Sequence, residues 1–509
     1  MSRTKALMNN YSSQFILTLF RIGAGLVLTK VIIVNYGSDV NGLIISINQF
    51  ISYMSLIEAG IGGATIYALY EPLAKKDSTN VSSIIITAQK LYYQSGSLFV
   101  VLLILMSIGY PIFIDTGVMT KSQITLFVLI LGVSKIVDFF VVSKYLALLT
   151  ADKKLHIISI AGITFTFFNA MIIIYIATIE MSVIVAKGTA IIAVVLQALI
   201  LVKYCKLTYS YIDYKARTNE SKVPKRWTVL SIQILTGIHH GLPVVLITFF
   251  ITLNELSVYS IYSLLFLAVG GIVSIFSNAV VPFFGEILVL EDDDNFQKAF
   301  GQFESLHFIM LAIAYSCTVF LVDPFIDLYT HNIKDADYDR PLLTVLFIIM
   351  GITNYIKSPA GVLMQSSGRF TVTRNQWIVQ TLLALVLGIF FVQNWGLIGI
   401  LMAMIASNLY RDFALISYVS SRYSGVSLSK TLRNIAVCLF CLCSASLLES
   451  WVSISINSYM SFFGISLIVG MGVLISVLLI FYLTSKTEVS NLIRNILRLF
   501  SNNINVKKG

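Results

Sequence analysis

The stretch YCKLTYSYIDYKARTNESKVPKRW, residues 204–227, is the longest polar passage between apolar runs in a chain that is otherwise almost continuously apolar. Six apolar runs precede it, six follow it, and two more lie beyond. Each run is about 20 residues long or longer, the length a helix needs to cross the hydrocarbon of a bilayer. The runs cover 13–34, 42–70, 88–114, 123–148, 155–178, 182–203, 228–251, 257–289, 302–329, 342–365, 375–393, 396–418, 431–451 and 459–484. The expected fold is therefore an all-α polytopic membrane protein of about 14 transmembrane helices.

Composition agrees. The 509 residues are 57% hydrophobic and 12% charged, with mean hydropathy +0.86. A soluble domain carries about 25% charged residues. Strict apolar–polar alternation over about ten residues, the mark of an outer-membrane strand, is absent. The first run carries Arg21 and Lys30 and has no small-residue cleavage site, so it is expected to remain as a helix rather than leave as a signal peptide.

The net charge of +10 is read as topology rather than as a nucleic-acid surface. Assigning alternate loops to alternate sides puts 24 of the 35 Lys and Arg residues on one side, including Lys75, Lys76, Lys153, Lys154 and the basic residues of 203–226. The opposite loops hold Lys121, Lys334 and Arg340. The basic side faces the cytoplasm, which places both termini inside. One span too many or too few would scramble this alternation.

The basic passage 204–227 separates an N-terminal lobe, 1–203, from a C-terminal lobe, 228–418. A constant offset of 219 residues relates them. Gln14, Thr18, Arg21 and Thr29 fall on Gln233, Gly237, His240 and Thr248, and Leu131–Ser134 falls on Met350–Thr353, with Asp138 opposite Lys357. Six spans per lobe start both lobes on the same side, so the expected relation is a pseudo-twofold along the membrane normal. Spans in 419–485 are an addition. The tail 486–509 has Val489, Leu492, Ile493, Ile496, Leu497 and Phe500 at helical spacing, and reads as an amphipathic helix on the inner surface.

Charges at bilayer depth cost about 2.5–3.5 kcal/mol each on insertion scales and mark cavities or partners. Lys30, Lys90, Lys144 and Arg411 lie near span ends and are read as snorkelling. Arg21, Lys135, Lys187, Lys357, Glu58, Asp138 and His240 are deeper. Gln14, Thr18, Arg21, Gly25 and Thr29 form one polar stripe, and Asn48, Ser55, Glu58, Gly62 and Thr65 another, at similar depth. Two readings of Arg21 and Glu58 stand open: a buried ion pair that fixes packing, or a cation lining a cavity with Glu58 orienting it or exchanging a proton. Lys135 and Asp138, three apart, either neutralise each other or serve the cavity. Lys357, with no acid on its own helix, is expected to face the cavity. The surplus of deep cations, Arg21, Lys135, Lys357 and His240, favours an anionic ligand, phosphate above all.

The sequence has no GxxxxGK[ST], HExxH or GxSxG, and its outer loops are short, which leaves little room for an enzyme and implies no cofactor. Cys438, Cys441 and Cys443 sit in an apolar run and read as small fillers rather than a metal site.

Residues Asn35–Leu43 (NYGSDVNGL), Gln49–Phe50, Tyr53, Ser55–Leu56, Glu58, Gly60–Gly63 and Ala68–Ala74 (ALYEPLA) resemble the polysaccharide transporter family. These are the Wzx-type O-antigen or capsule repeat-unit flippases of the multidrug/oligosaccharidyl-lipid/polysaccharide exporter superfamily. Leu148–Lys153 and Gln365–Arg369 are similar to that superfamily's helix ends. The resemblance implies two lobes around an alternating-access cavity and an undecaprenyl-diphosphate-linked oligosaccharide as substrate. It further implies a basic lumen in which Arg21 meets the diphosphate, H+ or Na+ coupling through Glu58 or Asp138, a bacterial plasma-membrane location, and neighbours among polysaccharide polymerase and assembly proteins. His240 stands where the second lobe would repeat Arg21. A cation-coupled multidrug exporter of the same fold and a membrane enzyme of polymer assembly are the other readings.

The topology is testable by labelling single cysteines in a Cys-free background. A membrane-impermeant maleimide is expected to label a cysteine at Asp335 in intact cells and one at Thr218 only after permeabilisation; the reverse pattern would invert the assigned orientation.

Overall fold

The computed structural model describes residues 3–114, 117–216, 218, 227–290, 293–423, 426–451, 456 and 458–484. Among them every regular element is helical. Thirteen helical stretches are long and apolar enough to cross a membrane. The longest, Phe370–Arg422, holds two helices joined at Gly396, whose φ of 54° and ψ of −129° break the spiral. The expected fourteen spans are thus accounted for, and the boundary read between 393 and 396 falls at this glycine. The tail 486–509 and most of 217–226 lie outside the described residues.

The chain packs as two compact units, Met1–Leu264 and Leu265–Gly509. The first contains α1 (Arg3–Tyr36), α2 (Ser38–Ser55), α3 (Ile61–Lys75), α4 (Ser78–Phe113), α5 (Lys121–Val137), α6 (Ser143–Ala151), α7 (Leu155–Thr178), α8 (Val183–Thr189), α9 (Ile191–Thr208) and α10 (Trp227–Phe250). The first part of α11 (Leu253–Ala279) also belongs to it. The second unit holds the rest of α11, α12 (Val281–Leu290), α13 (Asp293–Thr330), α14 (Pro341–Tyr355) and α15 (Ser358–Ser366). It ends with α16 (Phe370–Arg422), α17 (Leu428–Glu449) and α18 (Tyr459–Thr484).

Helix α10 joins the first unit through polar contacts with α2. Thr248 donates to Ser46 Oγ at 2.9 Å, and Tyr53 donates to the Ile238 carbonyl at 2.8 Å. Gly241 gives the room: a side chain there would run into Gln49 and Tyr53. Interhelical hydrogen bonds between small side chains are how helices associate where no hydrophobic force separates protein from lipid.

Several spans expected to be single helices are broken. Span two ends α2 with a tight turn at Leu56–Glu58, and α3 begins after Gly60, whose φ of 87° is left-handed. Span four changes to a π-helical turn at Asp138–Val142 between α5 and α6. Span eight breaks between α11 and α12, where Pro282 has no N–H for the Asn278 carbonyl. Span ten breaks at Lys357, where Pro359 deprives the Tyr355 carbonyl in the same way. The breaks at Gly60 and Val280, and at Asp138 and Lys357, recur at the 219-residue offset to within a residue.

Gly60→Ala tests the first break. A left-handed L-residue costs about 1–2 kcal/mol, and a Cβ would also press on Leu230 Cδ1 at 2.7 Å. The variant is expected to lower the melting midpoint of the purified protein, whereas Gly63→Ala, which meets nothing within 4 Å, should leave it unchanged.

Candidate functional site

The break in span two places Glu58 at the end of its tight turn, and the π turn in span four places Asp138 at its start. The two breaks meet. Ser143, the first residue of α6, donates to Glu58 Oε2 at 3.4 Å. Lys135 Nζ lies 3.4 Å from Asp138 Oδ2, with both side chains about one-third exposed. The charges of Lys135 and Asp138 both act on Glu58, and Glu58 in turn acts on the buried Tyr92 hydroxyl of α4. The result is a compact group of two carboxylates and one ammonium, held by Ser143. Its carboxylates outnumber its cation, so it suits a proton or a small cation better than an anion. This differs from the cation-rich cavity expected here, and the reason is local: neither the turn at Glu58 nor the π turn at Asp138 is foreseen by a straight-helix reading.

Arg21 is not part of this group. It is exposed on α1, its Nη2 3.3 Å from where a side chain on Gly162 of α7 would begin, and among the described residues it forms no ion pair. Of the two readings of Arg21 and Glu58, the direct pair is not formed among the described residues. Arg21 is thereby left accessible to a ligand. His240 is exposed on α10, its ring edge-on to His239 at 5.7 Å.

Lys357 departs most from expectation. It is 6% exposed. Its Nζ donates to the Thr353 carbonyl at 2.9 Å and to Asp412 Oδ1 at 3.2 Å. Arg411 and Asp412 are 7% and 6% exposed. Arg411 stacks 3.6 Å from the Trp377 ring centre and donates to Gln380 Oε1 at 3.2 Å; Gln380 then donates to Asn408 at 2.8 Å. So Arg411 does not snorkel, and Lys357 does not line an open cavity. Asp412 is the partner that sequence reading passed over. Adjacent residues on a helix point apart, so the sequence Arg411-Asp412 inside an apolar span signalled two separate buried partners, one for each. The Arg411 Nε and Asp412 Oδ2 atoms have no hydrogen-bond partner among the described residues.

His307 of α13 caps the break beneath this network. The Tyr355 carbonyl, robbed of its helical donor by Pro359, can only accept; His307 Nε2 lies 3.0 Å from it and therefore carries a proton. His307 Nδ1 lies 3.3 Å from Ser277 Oγ. Lys144, also read as snorkelling, instead donates to Gln89 Oε1 at 2.7 Å.

The chain matches no family model and no curated protein sequence. Solved structures share its fold. The inward-facing conformation of a multidrug resistance MATE family transporter of the MOP superfamily superposes with a TM-score of 0.66 at 14% identity, covering 83% of this chain and 98% of that one. The lipid II flippase MurJ, inward closed, superposes with a TM-score of 0.63 at 16% identity, covering 92% of this chain and 98% of that one. An outward-facing MATE family transporter gives 0.54 at 16% identity, covering 83% and 94%. The chain thus shares the all-α polytopic fold of these structures.

Removing one partner of a buried ion pair costs about 3–5 kcal/mol. Asp412→Leu is therefore expected to lower the melting midpoint sharply, and adding Lys357→Met to recover most of the loss. Equal stability of Asp412→Leu and the parent would contradict the pairing.

Proposed function

We propose that the protein is a flippase that carries undecaprenyl-diphosphate-linked oligosaccharide repeat units of an O-antigen or capsular polysaccharide from the inner to the outer leaflet of a bacterial plasma membrane. The observation that carries this reading is the reach of the structural likeness. The lipid II flippase superposition covers 92% of the chain and the MATE superpositions 83%. Residues 1–422, the first twelve spans, make up that same smaller share of the 509 residues. Two spans beyond the twelve, α17 and α18, are of a size that would account for the difference. The resemblance of residues 35–74 to the polysaccharide transporter family points the same way.

In this reading the repeat halves 1–203 and 228–418 are the lobes whose rearrangement alternates access, and both termini are cytoplasmic. Accessible Arg21 meets the diphosphate, for which a guanidinium's forked donors are suited. The Glu58–Lys135–Asp138 group takes the coupling ion: protonating one carboxylate leaves one anion against one cation, a neutral arrangement that crosses the bilayer more cheaply. The buried Lys357–Asp412–Arg411 network fixes a broken helix rather than binding substrate. Polymerase and assembly proteins are the expected neighbours in the membrane.

A second reading is favoured by one observation. An anionic group in the membrane suits a cation-coupled multidrug exporter, and the higher TM-score is to a MATE transporter. A deletion strain separates the two: loss of surface polymer with lipid-linked repeat units stranded on the inner face supports the flippase, whereas raised drug susceptibility with intact polymer supports the exporter.

Within the flippase reading, Arg21→Ala is expected to abolish surface polysaccharide in complementation while membrane levels of the protein stay unchanged. Glu58→Gln should uncouple transport from the ion gradient without that loss of diphosphate affinity. Normal polysaccharide from Arg21→Ala would overturn the role of Arg21.

A further inference from the structure

Helix α4 carries a polar feature that the coupling group does not use. On one face of this 36-residue helix, Ile86, Gln89, Lys90, Tyr93, Gln94 and Ser97 line a shallow, open groove. Lys90, Tyr93, Gln94 and Ser97 are spaced at three, one and three residues, so they share one helix face. All four are exposed within a span. Lys90 stands at the span end, where it can snorkel; Tyr93, Gln94 and Ser97 lie up to two turns deeper, where polar side chains face an aqueous path rather than lipid.

The face is also organised. Lys144 of α6 occupies the Gln89 carbonyl oxygen at 2.7 Å, which leaves the Gln89 amide hydrogens as donors. The Tyr93 ring rests against Phe140 of the π turn, centres 5.3 Å apart. Gly96 makes that approach possible, because a side chain there would meet Phe139 and Phe140 at 2.9 Å. Tyr93 is thus a platform backed on one side and 39% exposed overall.

The lining offers amide donors and acceptors, a hydroxyl, one ammonium and an aromatic face, and it contains no carboxylate. A hydrophobic drug would leave the amides unpaired at a cost. A bare diphosphate would leave the ring and both amides unused. A sugar uses them all: its hydroxyls pair with Gln89, Gln94 and Ser97, its C–H face packs on Tyr93, and an acidic substituent meets Lys90. Resting on the flippase reading above, we propose that this face of α4 binds the glycan part of the lipid-linked substrate, apart from the diphosphate held at Arg21.

The test uses full-length protein in nanodiscs and two probes. One is the repeat-unit oligosaccharide freed by mild acid from the lipid-linked intermediate that accumulates in a deletion strain; the other is inorganic pyrophosphate. Tyr93→Leu and Gln94→Ala are each expected to weaken oligosaccharide binding about tenfold or more and leave pyrophosphate binding within twofold. Tyr93→Phe, which keeps the ring, should bind the oligosaccharide like the parent and shows that the site is folded. Unchanged oligosaccharide affinity in Tyr93→Leu overturns the glycan site alone. A deletion strain that accumulates no lipid-linked intermediate overturns the flippase reading and the glycan site with it.

Discussion

In hydrocarbon, a backbone N–H or C=O without a partner costs several kcal/mol, and water is not there to supply one. The breaks in spans two, four, eight and ten create such groups at bilayer depth. The polar side chains of the interior gather around these breaks. Glu58 and Asp138 stand at two of them, Lys357 donates to a carbonyl at a third, and His307 caps the carbonyl that Pro359 leaves open. Chemistry in the membrane is thus concentrated where the helical ladder is interrupted.

The span layout was legible because it depends on runs of apolar residues whose length is set by the bilayer. Tyr459–Thr484 matches its expected bounds, and the gap between 393 and 396 coincides with Gly396. The interior was less legible. A periodicity argument places residues on a straight helix, so it sets Arg21 and Glu58 at a common depth, where a direct pair is one of two readings. Two residues beyond Glu58, Gly60 turns the chain into the left-handed region, and Glu58 is delivered to Lys135 and Asp138 instead. Pro359 and Gly60 were visible signals of the breaks. The π turn at Asp138 had no residue that announces it.

The sign of the interior changes with this placement. Counting deep cations predicted a basic lumen. Packing removes Lys357 from it, pairs it with Asp412, and sets Lys135 against Asp138. What remains accessible is one guanidinium on α1, an imidazole on α10 and an acidic group two helix breaks away. Arg21 and the acidic group are thus separate features of the first unit.

The junction at His307 has a further property. When the ring is neutral, Nε2–H donates to the Tyr355 carbonyl and Nδ1 is left to accept from Ser277. When the ring gains a proton, Nδ1–H donates to Ser277 Oγ, and the hydroxyl turns to the Val273 carbonyl 3.2 Å away. Either state offers an acceptor to each of these donors. Only the link to Ser277 reverses, so the Tyr355 carbonyl at the break in span ten stays capped in either state.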